Sequence, residues 1–394
     1  IIINLKSKIV QEYLSKLTTY TQESFSGVKI IKTYTVEENI NKQLNKLADN
    51  SREKNMSLVK IQAWFFPLMI LLIGISNILV VFIGGRQYMN NEIELGVLAE
   101  FIIYVNMLTW PVATVGWVTS IVQQAEASQK RINEFLNTKS SIINNSENKT
   151  NIYGKIEFKN IDFIYPETKI KACKNISFSI EKGKSLAIMG DIGSGKTTLL
   201  ELICRIYDPN NGSILIDNHN IQDINIEELR NSIGYVPQST FLFSETIERN
   251  IKFGKEKASK NEVENAAMNA CLSNDIDFFK NGYETLLGER GVNLSGGQKQ
   301  RLAIARAIIK KPKILIMDDS LSAVDTETEE KILSNINKIS EDITLIMATH
   351  RISSAKNCDK ILVLENGKVL EHGSHKDLIK NNGYYSKTQL KQSK

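Results

Sequence analysis

The pattern of apolar and polar positions divides the chain into a helical first part and a mixed second part. In residues 1–60, apolar side chains such as Leu14 and Leu17 recur at helical spacing among many charged ones. This pattern predicts two long helices with a break near Ser26 and Gly27. The composition would be unusual for a free helical domain, because these helices carry much charge and few large apolar residues.

Two uncharged stretches follow, at about 61–85 and 101–125. A helix that crosses a bilayer needs roughly 20 mainly apolar residues, so both stretches are long enough to span. The second is more polar and contains Pro111, which we expect to kink the helix. A helix buried in a protein core is the alternative for either stretch.

Charges beside the two stretches predict their orientation. Basic residues precede the first stretch and follow the second, whereas the short connection between them is mainly acidic. Because positive residues prefer the cytoplasmic side, we expect both ends of the pair, and all that follows them, to lie inside. The sequence thus predicts a multi-pass protein of the cytoplasmic membrane that contacts the lipid bilayer.

After a polar linker at 137–153, the pattern changes to strands. Residues 155–158 and 176–180 alternate as half-buried strands, and residues 314–317 and 344–348 are continuous apolar runs. Continuous runs of this kind are typical of central parallel strands. Strands that alternate with helices predict an α/β core with an antiparallel portion at its front.

Composition excludes some classes of function. The net charge is +5 over 394 residues, without a dense block of Lys or Arg, so nucleic acid is not indicated as a partner. The four cysteines are scattered singly, which favours neither a zinc site nor a disulfide framework.

Residues 190–198 read Gly-Asp-Ile-Gly-Ser-Gly-Lys-Thr-Thr, between an apolar run and a predicted helix. This is the spacing of a phosphate-binding loop, with Lys196 placed to reach the outer phosphates and Thr197 to bind Mg²⁺. Glycines let the backbone approach phosphate oxygens closely. A glycine-rich turn that binds nothing is the alternative. The predicted ligand is a purine nucleoside triphosphate held by Gly190, Gly193, Ser194, Gly195, Lys196, Thr197 and Thr198.

Two further motifs carry chemistry of the same kind. The apolar run at 314–317 ends in Asp318, where a P-loop enzyme needs a carboxylate for Mg²⁺. Residues 294–298, Leu-Ser-Gly-Gly-Gln, precede a predicted helix and could form a second anion cradle. An ordinary capped helix start is the alternative for that segment.

In this order and spacing the motifs resemble those of ABC transporters. Residues 294–298 are identical to the family's signature, and residues 190–197 fit its Walker A loop. Residues 1–135 are similar to the last third of the membrane domain of exporter-type members, notably at 25–38, 95–101 and 127–135. The resemblance implies a partial α-helical membrane domain (1–136) followed by an α/β P-loop nucleotide-binding domain (154–390) with an antiparallel β subdomain and a helical subdomain. We expect the first three or four of the family's six membrane helices to precede residue 1.

The resemblance also implies roles for single residues. Tyr165 matches the aromatic residue that stacks on adenine, Gln238 the Q-loop ligand of Mg²⁺, and His350 the switch histidine at the γ-phosphate. A strand aromatic packed in the core and a solvated histidine are the alternatives for Tyr165 and His350. Residues 288–291 resemble a segment beside the coupling helices, and 322–325 the D-loop. ATP then lies between one chain's Walker A loop and its partner's signature, Leu294, Ser295, Gly296, Gly297 and Gln298.

One position departs from the family's pattern. The residue after the Walker B aspartate is usually a glutamate that polarises the attacking water, and here it is Asp319. The shorter side chain retracts the carboxylate, and a misplacement of about 1 Å can cost on the order of 100-fold in rate.

We therefore predict one half of a heterodimeric ABC exporter, whose own Walker site binds ATP and Mg²⁺ but hydrolyses slowly and whose signature serves a second half-transporter. A regulatory subunit whose ATP is structural is the alternative. A soluble ABC ATPase acting on DNA or ribosomes is disfavoured by the two predicted spans.

Overall fold

A computed structural model describes residues 2–144, 150–288, 291–339 and 342–392. The chain forms two compact units, Ile1–Thr138 and Lys139–Lys394. The first unit is helical, and the second combines two β-sheets with helices. The predicted fold class, a helical region followed by an α/β domain with an antiparallel sheet, is confirmed.

The described residues of the first unit form five helices. They are α1 (Ile2–Ser26), α2 (Val28–Tyr34), α3 (Glu37–Ala63), α4 (Phe65–Met89) and α5 (Leu95–Leu136). The predicted break near Gly27 is confirmed. A second break at Thr35, whose φ of 54° interrupts the helix, was not predicted, because a β-branched residue carries no local signal for that conformation.

Within the described residues, one helical run is long and apolar enough to cross a membrane, Glu37–Met89. Its apolar portion is α4, at the position of the first predicted span. The next apolar helix segment, Leu95–Pro111, is shorter than such a span. The second predicted span, 101–125, lies within α5, which continues through Pro111, and it stays a prediction.

The second unit contains two sheets. An antiparallel sheet has the order β2-β1-β4-β5 and a larger, mainly parallel sheet has the order β10-β9-β3-β8-β7-β6. The strands are β1 (Ile156–Ile164), β2 (Lys171–Ile180), β3 (Ser185–Gly190), β4 (Asn211–Ile216), β5 (His219–Asn220), β6 (Ile233–Val236), β7 (Ile314–Asp318), β8 (Thr344–Ala348), β9 (Lys360–Glu365) and β10 (Lys368–Gly373).

In the described part of this unit, ten α-helices lie between and after the strands. They are α6 (Lys196–Ile203), α7 (Ile226–Ser232), α8 (Ile247–Lys252), α9 (Lys260–Asn269), α10 (Ser273–Asp277), α11 (Gly296–Ile308), α12 (Thr326–Ile339), α13 (Ile352–Ala355), α14 (His375–Lys380) and α15 (Tyr384–Gln392).

The central strands are mainly apolar because the larger sheet is buried on both faces, and their buried polar residues, Asp318 and Thr344, lie at strand ends. In β3, Leu186 and Ile188 pack into a core shared with the antiparallel sheet, whereas Ala187 and Met189 pack into the core formed with the helices. Strands β3, β7 and β8 run parallel, so their carboxyl ends meet at one edge. Open α/β sheets bind ligands at that edge, and here it carries Gly190 and Asp318.

The polar segment before the first strand packs onto the rest of the second unit. The Arg205 guanidinium donates to the carbonyl oxygen of Ile143 over 3.2 Å, and the backbone N–H of Ile226 donates to Asn144 Oδ1 over 3.1 Å. Because Arg205 is only 1% exposed, this contact reaches into the interior of the unit.

Candidate functional site

The glycine-rich loop connects β3 to α6. Gly190 has φ of 145°, and a Cβ there would lie 2.2 Å from the carbonyl oxygen of Leu364. Gly195, with φ of 101°, precedes the first residue of α6 and would place a Cβ 2.7 Å from the Ala172 carbonyl. Both positions therefore need glycine, for conformation and for space.

Lys196 lies at the centre of this loop. Its Nζ donates to the carbonyl oxygens of Gly190, over 2.7 Å, and Asp191, over 2.8 Å. Burial lowers the pKa of Lys196, and the nearby carboxylates of Asp319 and Asp318 oppose that shift. A partly desolvated ammonium inside a loop of backbone N–H groups is suited to bind phosphate oxygens.

Thr197 and Asp318 form a hydroxyl–carboxylate pair beside the loop. Asp318, at the end of β7, is only 3% exposed, and burial raises the pKa of its carboxyl. A hydrogen bond from Thr197 opposes this shift, and the charge of Asp319 adds to it. Two neighbouring oxygen ligands with phosphates close by match the preference of Mg²⁺ for few protein ligands.

Asp319 and His350 face each other across the mouth of the site. His350 Nδ1 lies 2.9 Å from Asp319 Oδ1. The Asp319 backbone has φ of 44°, in the left-handed region, and its N–H donates to the carbonyl oxygen of Ala348 on the adjacent strand. The carboxylate at the predicted catalytic position is thus tied to the predicted switch histidine.

Tyr165 lines the site, but its hydroxyl points inward. It lies 2.9 Å from Thr198 Oγ1 and 3.1 Å from Glu201 Oε2, and burial raises the pKa of the phenol to about 12. The ring packs edge-on against Phe163 and Tyr207. Tyr165 is therefore packed against core aromatics and also lines the site, and adenine stacking stays a prediction.

One cleft of about 820 Å³ brings most of the predicted residues together. Ser194 lies beneath it, buried, with a hydroxyl that has no partner among the described residues. An unpartnered buried hydroxyl in this loop fits a site shaped for a polar ligand. The predicted residues that line the cleft are Tyr165, Gly190, Gly193, Gly195, Lys196, Thr197, Thr198, Gln238, Asp318, Asp319 and His350.

The signature segment is not part of this cleft. Ser295 caps α11 by accepting from the N–H of Gln298, and the Gln298 side chain donates to Asp275 over 3.0 Å. Ser295 and Gly296 are exposed at the start of the helix. The motif therefore presents a helix N-terminus at the surface, as an anion cradle would.

Two side chains that the sequence motifs do not mark fix the D-loop. Gln300, on α11, bonds to Ser322 Oγ over 3.2 Å and accepts from the N–H of Ala323 over 2.9 Å. Arg351 donates to the Ser322 carbonyl over 2.6 Å and to Glu329 over 3.2 Å. Both roles depend on contacts between distant parts of the chain, which no local pattern encodes.

The segment resembling the region beside the coupling helices is only partly described. Gly288 and Gly291 are present, whereas residues 289 and 290 lie outside the described part of the chain.

Two family profiles match this chain. The ABC transporter profile matches residues 173–322, and the ABC transporter transmembrane region matches residues 2–112. The first match contains the Walker A loop, the signature and Asp318. The second covers α1 to α4 and the first part of α5.

Individual proteins of similar sequence agree with these two profile matches. The "Multidrug resistance-like ATP-binding protein MdlA" of Buchnera aphidicola is 40% identical over 95% of this chain and 65% of its own length. The "Probable multidrug resistance ABC transporter ATP-binding/permease protein YheI" of Bacillus subtilis is 39% identical over 95% of this chain and 64% of its own. An "ATP-dependent lipid A-core flippase" of Syntrophus aciditrophicus is 35% identical over 96% and 63%. The chain thus spans less than two thirds of the length of these relatives.

A solved structure of a bacterial Atm1-family ABC exporter with ATP bound has a TM-score of 0.87 to this chain. The similarity covers 100% of this chain and 72% of the other, at 28% sequence identity.

Proposed function

The chain belongs to the ABC transporter family, and from this premise we propose that it is one half of a dimeric exporter that couples ATP hydrolysis to transport across the cytoplasmic membrane. The match to the transmembrane region and the apolar helix α4 support a place in the membrane. The names of the relatives, multidrug resistance and lipid A-core flipping, support a hydrophobic or amphipathic substrate.

The observation that carries this proposal is the cleft at the carboxyl edge of the parallel sheet. It gathers a lysine in a glycine-rich loop, a hydroxyl–carboxylate pair, and an amide from Gln238. These are the groups that phosphoryl transfer needs, because its catalysis is mainly positioning and stabilisation of charge.

The residues of the cleft fit ATP and Mg²⁺. When bound, the nucleotide supplies the phosphoryl group and the metal ion offsets its charge. The loop N–H groups and Lys196 would hold the phosphates, and Thr197, Asp318 and Gln238 would offer oxygen ligands to the metal. Asp319 and His350 would face the terminal phosphate and the water that attacks it.

A single chain supplies only one wall of such a site. The signature lies away from the cleft and its helix N-terminus is exposed. We therefore propose that a second half-transporter places its signature over this cleft, while residues 294–298 of this chain complete the partner's site. A dimer with two shared sites is the simplest arrangement that uses every motif.

Asp319 supports a heterodimer with unequal sites. Its Oδ1 lies 2.9 Å from His350 Nδ1. Attack on the phosphate requires a carboxylate within hydrogen-bond reach of the water, and the shorter side chain reaches less far. The second candidate function, a regulatory subunit with structural ATP, rests on the same residue.

The test uses the full-length protein in lipid nanodiscs, alone and with a candidate partner half-transporter. We expect ATP turnover in the mixed complex to exceed that of this chain alone by about tenfold or more, because only the partner's site carries a well-placed base. Asp319→Glu should raise turnover by this chain alone, and Lys196→Ala should abolish nucleotide binding at its site.

Each outcome decides between the candidates. Equal, rapid turnover by this chain alone and by the mixture would refute unequal sites. A mixed complex that binds ATP at both sites and turns over neither would support the regulatory subunit. Unchanged nucleotide binding after Lys196→Ala would refute the nucleotide site itself.

A further inference from the structure

The last helix of the described chain, α15, forms part of the cleft wall. Tyr384, Thr388 and Gln392 follow each other at intervals of four residues, and all three line the cleft. Residues four apart share one face of a helix, so this face is the polar side that α15 turns toward the site.

Tyr384 contacts the glycine-rich loop directly. Its hydroxyl donates to Asp191 Oδ1 over 2.6 Å. Asp191 is the second residue of the loop, directly after Gly190, and its backbone carbonyl accepts from Lys196 Nζ. The tyrosine therefore bonds to an acidic side chain on the loop that is proposed to surround the phosphates.

Helix α15 is held in place independently of this contact. The buried Tyr385 has its hydroxyl 2.7 Å from His375 Nδ1. Glu371 accepts from the backbone N–H groups of Tyr384 and Tyr385 at the start of the helix. At the other end, Gln392 Nε2 donates to the carbonyl oxygen of His350 over 2.7 Å. The position of Tyr384 is thus fixed by contacts on both sides of it.

The negative charge of Asp191 should disfavour binding of the negatively charged nucleotide phosphates in this loop. Asp191 lies in the same loop as Lys196, and its backbone carbonyl accepts from Lys196 Nζ over 2.8 Å. A carboxylate near Lys196 competes with phosphate oxygens for the ammonium and repels them. One hydrogen bond from a neutral hydroxyl fixes where that charge lies.

We propose that Tyr384 is a positioning residue for nucleotide binding, which holds the Asp191 carboxylate against α15 and away from the phosphates. The inference rests on the function proposed above. It predicts that the hydroxyl of Tyr384 matters only while Asp191 is charged.

The experiment measures Mg·ATPγS binding to the full-length dimer in nanodiscs, with the partner's Walker A lysine changed to alanine so that only this chain's site is read. Tyr384→Phe should weaken binding about threefold to tenfold, the effect of one unit charge about 4 Å from the phosphates when water screens it, because Asp191 is exposed to solvent. In an Asp191→Asn background the same change should alter binding less than about twofold, because the charge it controls is gone.

Salt provides a second readout. Raising the salt from 0.1 M to 1 M shortens the screening length from about 10 Å to about 3 Å, so the loss caused by Tyr384→Phe should shrink. Tyr385→Phe is the matched control on the same helix. It breaks the bond to His375 and should lower the melting temperature without changing nucleotide affinity.

Binding by Tyr384→Phe equal to that of the parent would overturn the inference. An equal loss in both backgrounds, unaffected by salt, would also overturn it and assign Tyr384 to helix packing. Lys196→Ala, read in the same assay, separates this failure from failure of the proposed function. If Lys196→Ala loses binding while Tyr384→Phe does not, only the inference fails; if Lys196→Ala binds as the parent does, the proposed function fails as well.

Discussion

Gly190 and Gly193 belong to one loop and both have positive φ, yet their surroundings differ. A Cβ on Gly190 would meet the Leu364 backbone at 2.2 Å, whereas a Cβ on Gly193 would meet no atom within 4 Å. Gly190→Ala should therefore destabilise the nucleotide-free protein by about 2–4 kcal/mol, from clash and backbone strain together. Gly193→Ala should cost only about 1–2 kcal/mol, from strain alone.

Denaturant unfolding of the two purified variants measures this difference. We expect Gly190→Ala to lose more stability than Gly193→Ala. The reverse order would contradict the packing around Leu364.

Burial of the Asp318 carboxylate should lower the free energy of unfolding of the nucleotide-free protein. Burial raises the pKa of this carboxyl above 3.8 in the folded protein, so folding is penalised wherever the group is ionised. At pH 7 Asp318→Asn should raise the melting temperature of the nucleotide-free protein by about 2–4 °C, the shift that roughly 1 kcal/mol produces in a domain of this size. The gain should shrink as the pH falls toward 3.8, where the unfolded chain also becomes protonated.

The same change should lower the slow Mg²⁺-dependent ATP turnover of this chain alone by about 100-fold, because a ligand of the metal is lost. Scanning fluorimetry at several pH values and an ATPase assay test both effects. The exposed Asp223→Asn is the control and should change neither. A destabilised Asp318→Asn at neutral pH would contradict the cost of burial.

Single residues of the site were predictable where a motif fixes them. The spacing at 190–198 was enough to predict Lys196 and Thr197 beside Asp318, because a strand, a loop and a helix N-terminus have few geometries. Tyr384 was not predictable, since its partner Asp191 lies 193 positions away in the chain. Ser194 is buried, and its predicted role in binding the ligand stays a prediction.

At the scale of elements, the buried carboxylate of Glu329 connects the segment that follows His350 to the D-loop (322–325). Glu329, on α12, is 2% exposed, accepts from Arg351 over 3.2 Å and is hydrogen-bonded by the Ser354 hydroxyl. Arg351 in turn holds the Ser322 carbonyl. The Glu329–Arg351 pair therefore holds the D-loop in position.

Glu329→Ala should cost about 2–3 kcal/mol, less than the loss of a fully buried pair because Arg351 is partly exposed. Its neighbour Glu330 is exposed, and Glu330→Ala should stay within about 0.5 kcal/mol of the parent. Chemical denaturation of both variants measures the difference, and equal losses would contradict a structural role for the Glu329–Arg351 pair.

Elements were predictable in proportion to their periodicity. The continuous apolar runs of β7 and β8 were recognised because strands buried on both faces are mainly apolar. Strands β9 and β10, which extend the larger sheet beyond β3, were not predicted. The break at Thr35 was missed because no glycine or proline marks it.

At the scale of the whole molecule, the proposed dimer predicts that this chain matters more for its partner's site than for its own. Gly296→Asp should fold normally, because a Cβ there meets Ala323 only at 3.5 Å. It would place a negative charge at the helix N-terminus proposed to bind the partner's nucleotide. We expect it to lower turnover of the mixed dimer by about tenfold or more, and Asp319→Asn to lower it by less than about twofold.

Steady-state ATPase activity of the two mixed dimers checks this prediction. The reverse ranking, with Asp319→Asn the more damaging change, would show that this chain's own site performs the turnover.

Helix α5 has 42 residues, which at a rise of about 1.5 Å per residue gives a rod roughly 63 Å long. The hydrocarbon layer of a bilayer is only about 30 Å thick, so with the predicted span at 101–125 about half of this helix would lie in water or among headgroups. A stiff helix tilts as one body, so a displacement of one end produces a displacement of the other end. In a transporter, a given tilt of α5 would therefore move its ends farther than the same tilt of a shorter helix. Pro111 is the position at which we expect this helix to bend.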